Sequence, residues 1–170
     1  MFAIVQDGII MLMVQSGSAF EWDGNFYPAN WCNLSSPEEK ANIGMVDVVY
    51  GPQLNDQYYW VTQDQPVYNA ETNEVYIGFT CVAKDLDQTK ANCINQVNST
   101  AYSILLPTDW MVVKSFETGS TIPADWNTWR QSVRTTAQDT VTTINSSSDV
   151  AAVELVMNNL VWPPSPDQGV

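Results

Sequence analysis

The chain contains no histidine. That excludes Ser-His-Asp and Cys-His activation of a nucleophile, and any zinc site that uses imidazole. Cysteine is scarce. Cys32, Cys81 and Cys93 include no Cys-x-x-Cys pair and are too few for an all-thiolate zinc site. Basic residues are also few, with 6 Lys+Arg against 19 Asp+Glu and a net charge of -13. A nucleic-acid surface needs a basic footprint, so no nucleic-acid partner is expected, and anionic membrane surfaces are disfavoured for the same reason. No apolar run approaches the roughly 18 residues that cross a bilayer. The longest, Ile9–Val14, is strand-sized, and no basic stretch precedes it as in an export signal. The expectation is a chain made in the cytoplasm without membrane insertion.

What is present points to a packed protein. In 170 residues, 45% are apolar and seven are Trp, which is enough to bury a core and argues against disorder. The first half alternates β-rich runs with turn signals. Residues 1–5 and 9–14 flank Asp7-Gly8, the preferred pair for a type I′ hairpin. A second hairpin is expected from Ala19–Trp22 and Phe26-Tyr27 around Asp23-Gly24-Asn25, with Trp31 and Cys32 packing over the sheet. Ser36-Pro37-Glu38-Glu39 starts a short helix with a capping box and Pro at the first helical position, and Gly44 ends it. Further strands are expected at 46–50, 58–61, 67–68 and 75–81, the last two as a hairpin with a polar tip at 69–73.

The period changes at Lys84. Ala91, Ile94, Val97, Ala101 and Ile104 form one helical stripe, and Pro107 stops it. Thr108 or Asp109 caps a helix that Gly119 closes. Pro123 opens a long helix whose stripe is Trp126, Trp129, Val133, Ala137, Val141 and Ile144. Ser146–Asp149 caps a last helix, and Asp167–Val170 reads as a tail. The fold class is α+β: a β-rich antiparallel N-terminal half over residues 1–83 with one short helix, then an all-helical half over 84–170 with a Pro-rich C-terminal tail.

Catalytic and metal constellations are not legible. Asp85-Leu86-Asp87 opens like a calcium loop but lacks the mid-loop glycine and closing glutamate, so helix-start acid is the simpler reading. Pairs of carboxylates arise by chance among 19 acids, and spacing cannot set two of them across a glycosidase cleft. No catalytic residue, metal or cofactor is expected. The three cysteines read as small buried hydrophobes. Their odd count leaves one of Cys32, Cys81 and Cys93 to form an intermolecular disulfide once an assembly meets oxidising conditions. Seven Trp and seven Tyr are many for one modest core, which places some at interfaces.

One motif set is more specific. Thr108-Asp109-Trp110, Glu117 with Gly119, and Pro123 are followed by Trp129-Arg130, Arg134, and Trp162-Pro163 with Pro166. From Ile104 to Pro166 this set resembles the tail-fibre assembly proteins of tailed phages, and the whole chain is similar to phage tail proteins. The resemblance implies a non-enzymatic virion component of the tail, in the fibre or baseplate region. It would be made in the host cytoplasm, oligomeric, and partnered by other tail proteins. The same resemblance implies an alternative, an assembly chaperone not retained in the virion; the β-rich half matches no motif of those chaperones. Trp110, Trp126, Trp129, Arg130, Arg134 and Trp162 are the candidate partner interface, with the two arginines docking on carboxylates or carbonyls. Their bland reading is a solvated i,i+4 pair. From the residues alone, a carbohydrate-binding receptor module for a host-surface glycan is a further alternative, using Trp22, Trp31 and Trp60.

Overall fold

Two Asp-Gly pairs set the first two hairpins. In the computed structural model, which describes residues 1–169, β1 (Phe2–Gln6) and β2 (Ile9–Val14) pair antiparallel. Asp7 and Gly8 between them have φ of 53° and 78°, as a type I′ turn requires. Asp23 and Gly24 repeat this at 49° and 72° between β3 (Phe20–Trp22) and β4 (Asn25–Tyr27). Asn25 pairs with Trp22, so that turn has two residues and not the three expected.

Trp31–Leu34 forms a one-turn helix, α1, in addition to the one short helix expected in this half, and Asn30 at its start makes no side-chain cap hydrogen bond. α2 (Pro37–Asn42) has the expected capping box: Glu39 N–H donates to Ser36 Oγ at 3.2 Å and Ser36 N–H to Glu39 Oε2 at 2.7 Å. Gly44 follows at φ 71°, and its carbonyl accepts from Val5 N–H at 2.8 Å, which ties the end of α2 to β1.

β5 (Met45–Tyr50), β7 (Val67–Asn69) and β8 (Glu74–Ile77) complete a five-stranded sheet ordered β2-β1-β5-β8-β7. β5 and β8 run parallel, so the expected antiparallel sheet is mixed. The chain leaves β5, passes through β6 (Tyr59–Gln63) and β7, and returns in the same direction, as a parallel neighbour demands. The run expected as one strand over 75–81 breaks at Gly78. β8 stays in the large sheet, whereas β9 (Phe79–Ala83) pairs with β6. Asp64 N–H donates to Gly78 O at 3.0 Å, and a Cβ at Gly78 would lie 2.7 Å from Asp64 Oδ2, so a side chain there would have to push that carboxylate aside. One core of the sheet gathers Ala3, Val46, Val75 and Ile77. The other gathers Ile4, Val14, Cys32 and Met45 under Phe20, Trp22 and Trp31. Phe20 stacks on Tyr27 at 4.7 Å, and Trp31 meets both edge-on.

The helices form their own unit. α3 (Leu86–Leu105) is capped by Asp85, whose Oδ1 accepts from Gln88 N–H at 2.8 Å. A 3₁₀ turn over Leu106–Thr108 leads into α4 (Asp109–Thr118), which Gly119 ends at φ 70°; the expected side-chain cap by Thr108 or Asp109 is not made, because the Thr108 hydroxyl turns back to Leu105 O and the Asp109 carboxylate to Arg130. α5 (Ala124–Ser146) and α6 (Val150–Asn158, capped by Asp149) follow. The buried ridge of α3 is Thr89, Cys93, Val97 and Ala101, four apart, while Ala91 of the expected stripe is exposed. On α5 the expected stripe holds: Trp129, Val133, Ala137 and Ile144 are buried, with Trp126 and Val141 packed against them. Of the expected tail, Asp167–Gly169 lie in a 3₁₀ turn over Pro166–Gly169, and Val170 lies outside the described residues.

The chain divides into two units, Met1–Asp56 with Trp60–Val82, and Gln57–Tyr59 with the chain from Ala83 on. The short excursion at Gln57–Tyr59 exists because Tyr58, 2% exposed, belongs to the helical core, and its carbonyl accepts from Lys84 N–H at 3.0 Å.

Candidate protein-contact site

Arg130 organises the helical unit and is 3% exposed. From α5 its Nη1 donates to Leu105 O at 3.0 Å and to Thr108 Oγ1, and its Nη2 donates to Asp109 Oδ1 at 2.6 Å. Thr108 Oγ1 in turn donates to Leu105 O at 2.8 Å. The planar guanidinium therefore closes the corner where α3 ends and α4 begins, a junction that Pro107 makes by halting the helix. With its donors engaged inside the unit, Arg130 is an internal tie. Arg134, one turn on, is exposed and parted from it.

Next to Arg130, Trp129 is buried and its Nε1–H donates to Pro163 O at 3.0 Å, strapping the Trp162-Pro163-Pro164 segment across α5. Trp126 meets Trp129 edge-on at 5.4 Å and 89°. Trp126, Trp129 and Trp162 line a cleft of about 530 Å³ with Pro107, Pro163 and Ser165. Three of the six residues expected at an interface therefore share one depression, mostly apolar with a few polar groups, as small binding sites are built.

α4 stands apart. It buries no side chain fully. Trp110 is 57% exposed and Phe116 92% exposed, and Val112 and Val113 are also exposed. Lys114 Nζ lies 5.8 Å from the Trp110 ring centroid, near the outer limit of a cation–π contact. Phe116, Val112 and Val113 are missing from the candidates read off the sequence. Their signal was there: apolar residues spread round this ten-residue helix more widely than one buried stripe requires.

Of the glycan candidates, Trp22 and Trp31 are half-buried against the sheet, and Trp60 is 65% exposed. Cys32 and Cys93 are buried and free, whereas Cys81 is half-buried and free. Burial pushes the Cys32 and Cys93 thiols up. Tyr58, packed beside Cys93, is pushed up to about 12, first by burial and then by the neighbouring thiol. Among the described residues no three Asp, Glu or Cys gather as metal ligands, and no helix is long and apolar enough to cross a membrane. Comparison with protein-family models, with curated proteins and with solved structures finds no match for this chain.

Proposed function

We propose that this protein is a non-enzymatic structural component of a phage tail, in the fibre or baseplate region, and works through protein–protein contacts. The observation that carries the contact role is α4, a helix with no fully buried side chain that holds Trp110, Val113 and Phe116 in water. Aromatic side chains left exposed together favour association, because burying them releases water and they lose little rotamer freedom. The tail setting rests on the resemblance of Ile104–Pro166 to tail-fibre assembly proteins. In this reading α4 packs against another tail subunit, the Trp126–Trp162 cleft offers a second contact, and the chain is oligomeric in the virion.

Mass spectrometry of purified, intact particles tests it. Stoichiometric presence supports a structural part, and incorporation then falls in a Trp110→Ser, Phe116→Ser double variant that keeps its thermal midpoint. Absence from particles while the chain is abundant in infected cells overturns retention, and the chaperone reading replaces it.

A further inference from the structure

Three chain reversals of the sheet unit open onto one cleft of about 570 Å³. The end of β1 and its turn contribute Gln6 and Asp7, the end of β3 and its turn contribute Trp22 and Asp23, and the C-terminal end of α2 contributes Asn42 and Gly44. We propose that this cleft binds a neutral oligosaccharide, with Trp22 as the platform and Gln6, Asp7, Asp23 and Asn42 as hydrogen-bonding partners. The inference is independent of the tail reading.

The polar side chains around the cleft have unused hydrogen-bonding capacity. Gln6, Asp7, Asp23 and Asn42 are exposed, and no side-chain hydrogen bond or ion pair engages them among the described residues. Two are acceptor-only carboxylates and two are amides that both donate and accept. A sugar hydroxyl also donates and accepts, and a vicinal pair of hydroxyls spans the two oxygens of one carboxylate. Trp22 packs into the cluster of Ile4, Val14 and Met45 and also walls the cleft. A flat indole is the complement of the C–H face of a pyranose ring.

Size and donor balance decide against a cation. A calcium ion needs oxygen ligands closing to about 2.3–2.6 Å around one point. This cleft instead falls within the roughly 300–1,000 Å³ of organic-ligand sites. A lysine or arginine side chain would use the two carboxylates and gain nothing from the amide N–H donors of Gln6 and Asn42.

The site is also pre-formed. Asp7 and Asp23 are held at positive φ by their hairpins, and the Val5 N–H bond to Gly44 O joins the third side to the first. Little ordering is left for the ligand to impose.

The test is a titration of the ¹⁵N-labelled full chain with maltohexaose, cellohexaose and chitohexaose, read at backbone amides and at the Trp22 indole N–H. At least one of these sugars shifts 6–8, 22–24 and 42–44 together. Asp7→Asn with Asp23→Asn then weakens that binding at least tenfold, and Asn42→Ala weakens it too. Asparagine tolerates positive φ as aspartate does, so the double variant keeps both turns. Trp22→Phe, which retains an apolar ring in the cluster, also weakens binding without unfolding the sheet unit. No shift with any of the three sugars overturns the proposal, as do shifts that the variants leave unchanged. Shifts of the same residues by calcium chloride or a lysine hexapeptide, with none by the sugars, overturn it in favour of a cation site.

Discussion

Arg130 Nη2 and Asp109 Oδ1 meet at 2.6 Å across twenty-one residues of chain, yet the two partners are unequal. Arg130 is buried, while the Asp109 side chain is 45% exposed. Removing the arginine takes a donor from Leu105 O, Thr108 Oγ1 and the carboxylate, although Thr108 and Leu105 keep each other and the carboxylate keeps water. Removing the carboxylate charge leaves the buried guanidinium without the counter-ion it pairs with. Arg130→Met is expected to destabilise the helical unit by about 2 kcal/mol, from the loss of its charge-assisted hydrogen bonds. Asp109→Asn keeps an acceptor for Nη2 but is expected to cost about 2–3 kcal/mol, because the buried charge loses its partner. Arg130→Lys recovers only part of the loss, because one ammonium cannot span the three acceptors. Urea unfolding with exchange protection read on α4 and α5 checks these; unchanged stability and protection in Arg130→Met refutes the tie.

Gly44 combines a left-handed backbone with a close approach. A Cβ there would lie 2.5 Å from Val5 O, in addition to the strain at φ 71°. Gly8 has a similar φ of 78° but nothing within 4 Å. Gly8→Ala is expected to cost about 1–2 kcal/mol from backbone strain alone. Gly44→Ala adds displacement of β1 or α2 and exceeds it clearly. Thermal melts of the two variants should differ in that order, and an equal fall in midpoint would remove the argument from space.

Alkaline stability follows from Tyr58. An unfolded tyrosine ionises near ~10, whereas folded Tyr58 keeps its proton to about 12. In that window the unfolded chain binds fewer protons than the native one. Stability is therefore fully present below about pH 10 and falls toward pH 12, by on the order of 2 kcal/mol. Cys32 and Cys93, also raised by burial, start the loss lower, above the ordinary thiol range of ~8.5. Urea midpoints of Tyr58→Phe should lack the upper part of the decline. An unchanged profile would move the effect to another group.

Thiol chemistry should single out Cys81. It is half-buried on β9 while Cys32 and Cys93 are buried, so one fast-reacting thiol is expected in the native chain and three in urea. Any intermolecular disulfide formed without unfolding then runs through Cys81. Cys81→Ser removes it on non-reducing gels, and a crosslink surviving that change would point to an opened core.

Signals contained within a few residues are legible in the amino-acid order. The φ-positive turns at Asp7-Gly8 and Asp23-Gly24, the Ser36–Glu39 box, the Asp149 cap and the glycine stop at Gly119 each depend on neighbours in sequence. The α5 stripe is legible too, because a regular helix presents the same face wherever it packs. Trp129 and Arg130 stand out as a pair, but their roles do not. Whether a guanidinium faces solvent or a helix corner depends on Leu105, Thr108 and Asp109, more than twenty residues away.

What the amino-acid order determined by itself is the α+β division, the two Asp-Gly turns, the Ser36 and Asp149 caps and the buried face of α5, since each is a property of a short stretch and its backbone. Tertiary structure alone decided that β5 and β8 run parallel, that Gly78 hands the chain from one sheet to another, and that Tyr58 joins the helical core. It also decided that α4 leaves Trp110 and Phe116 in water. Those outcomes turn on which distant surfaces meet and which space is filled first, and local propensity carries no information about either.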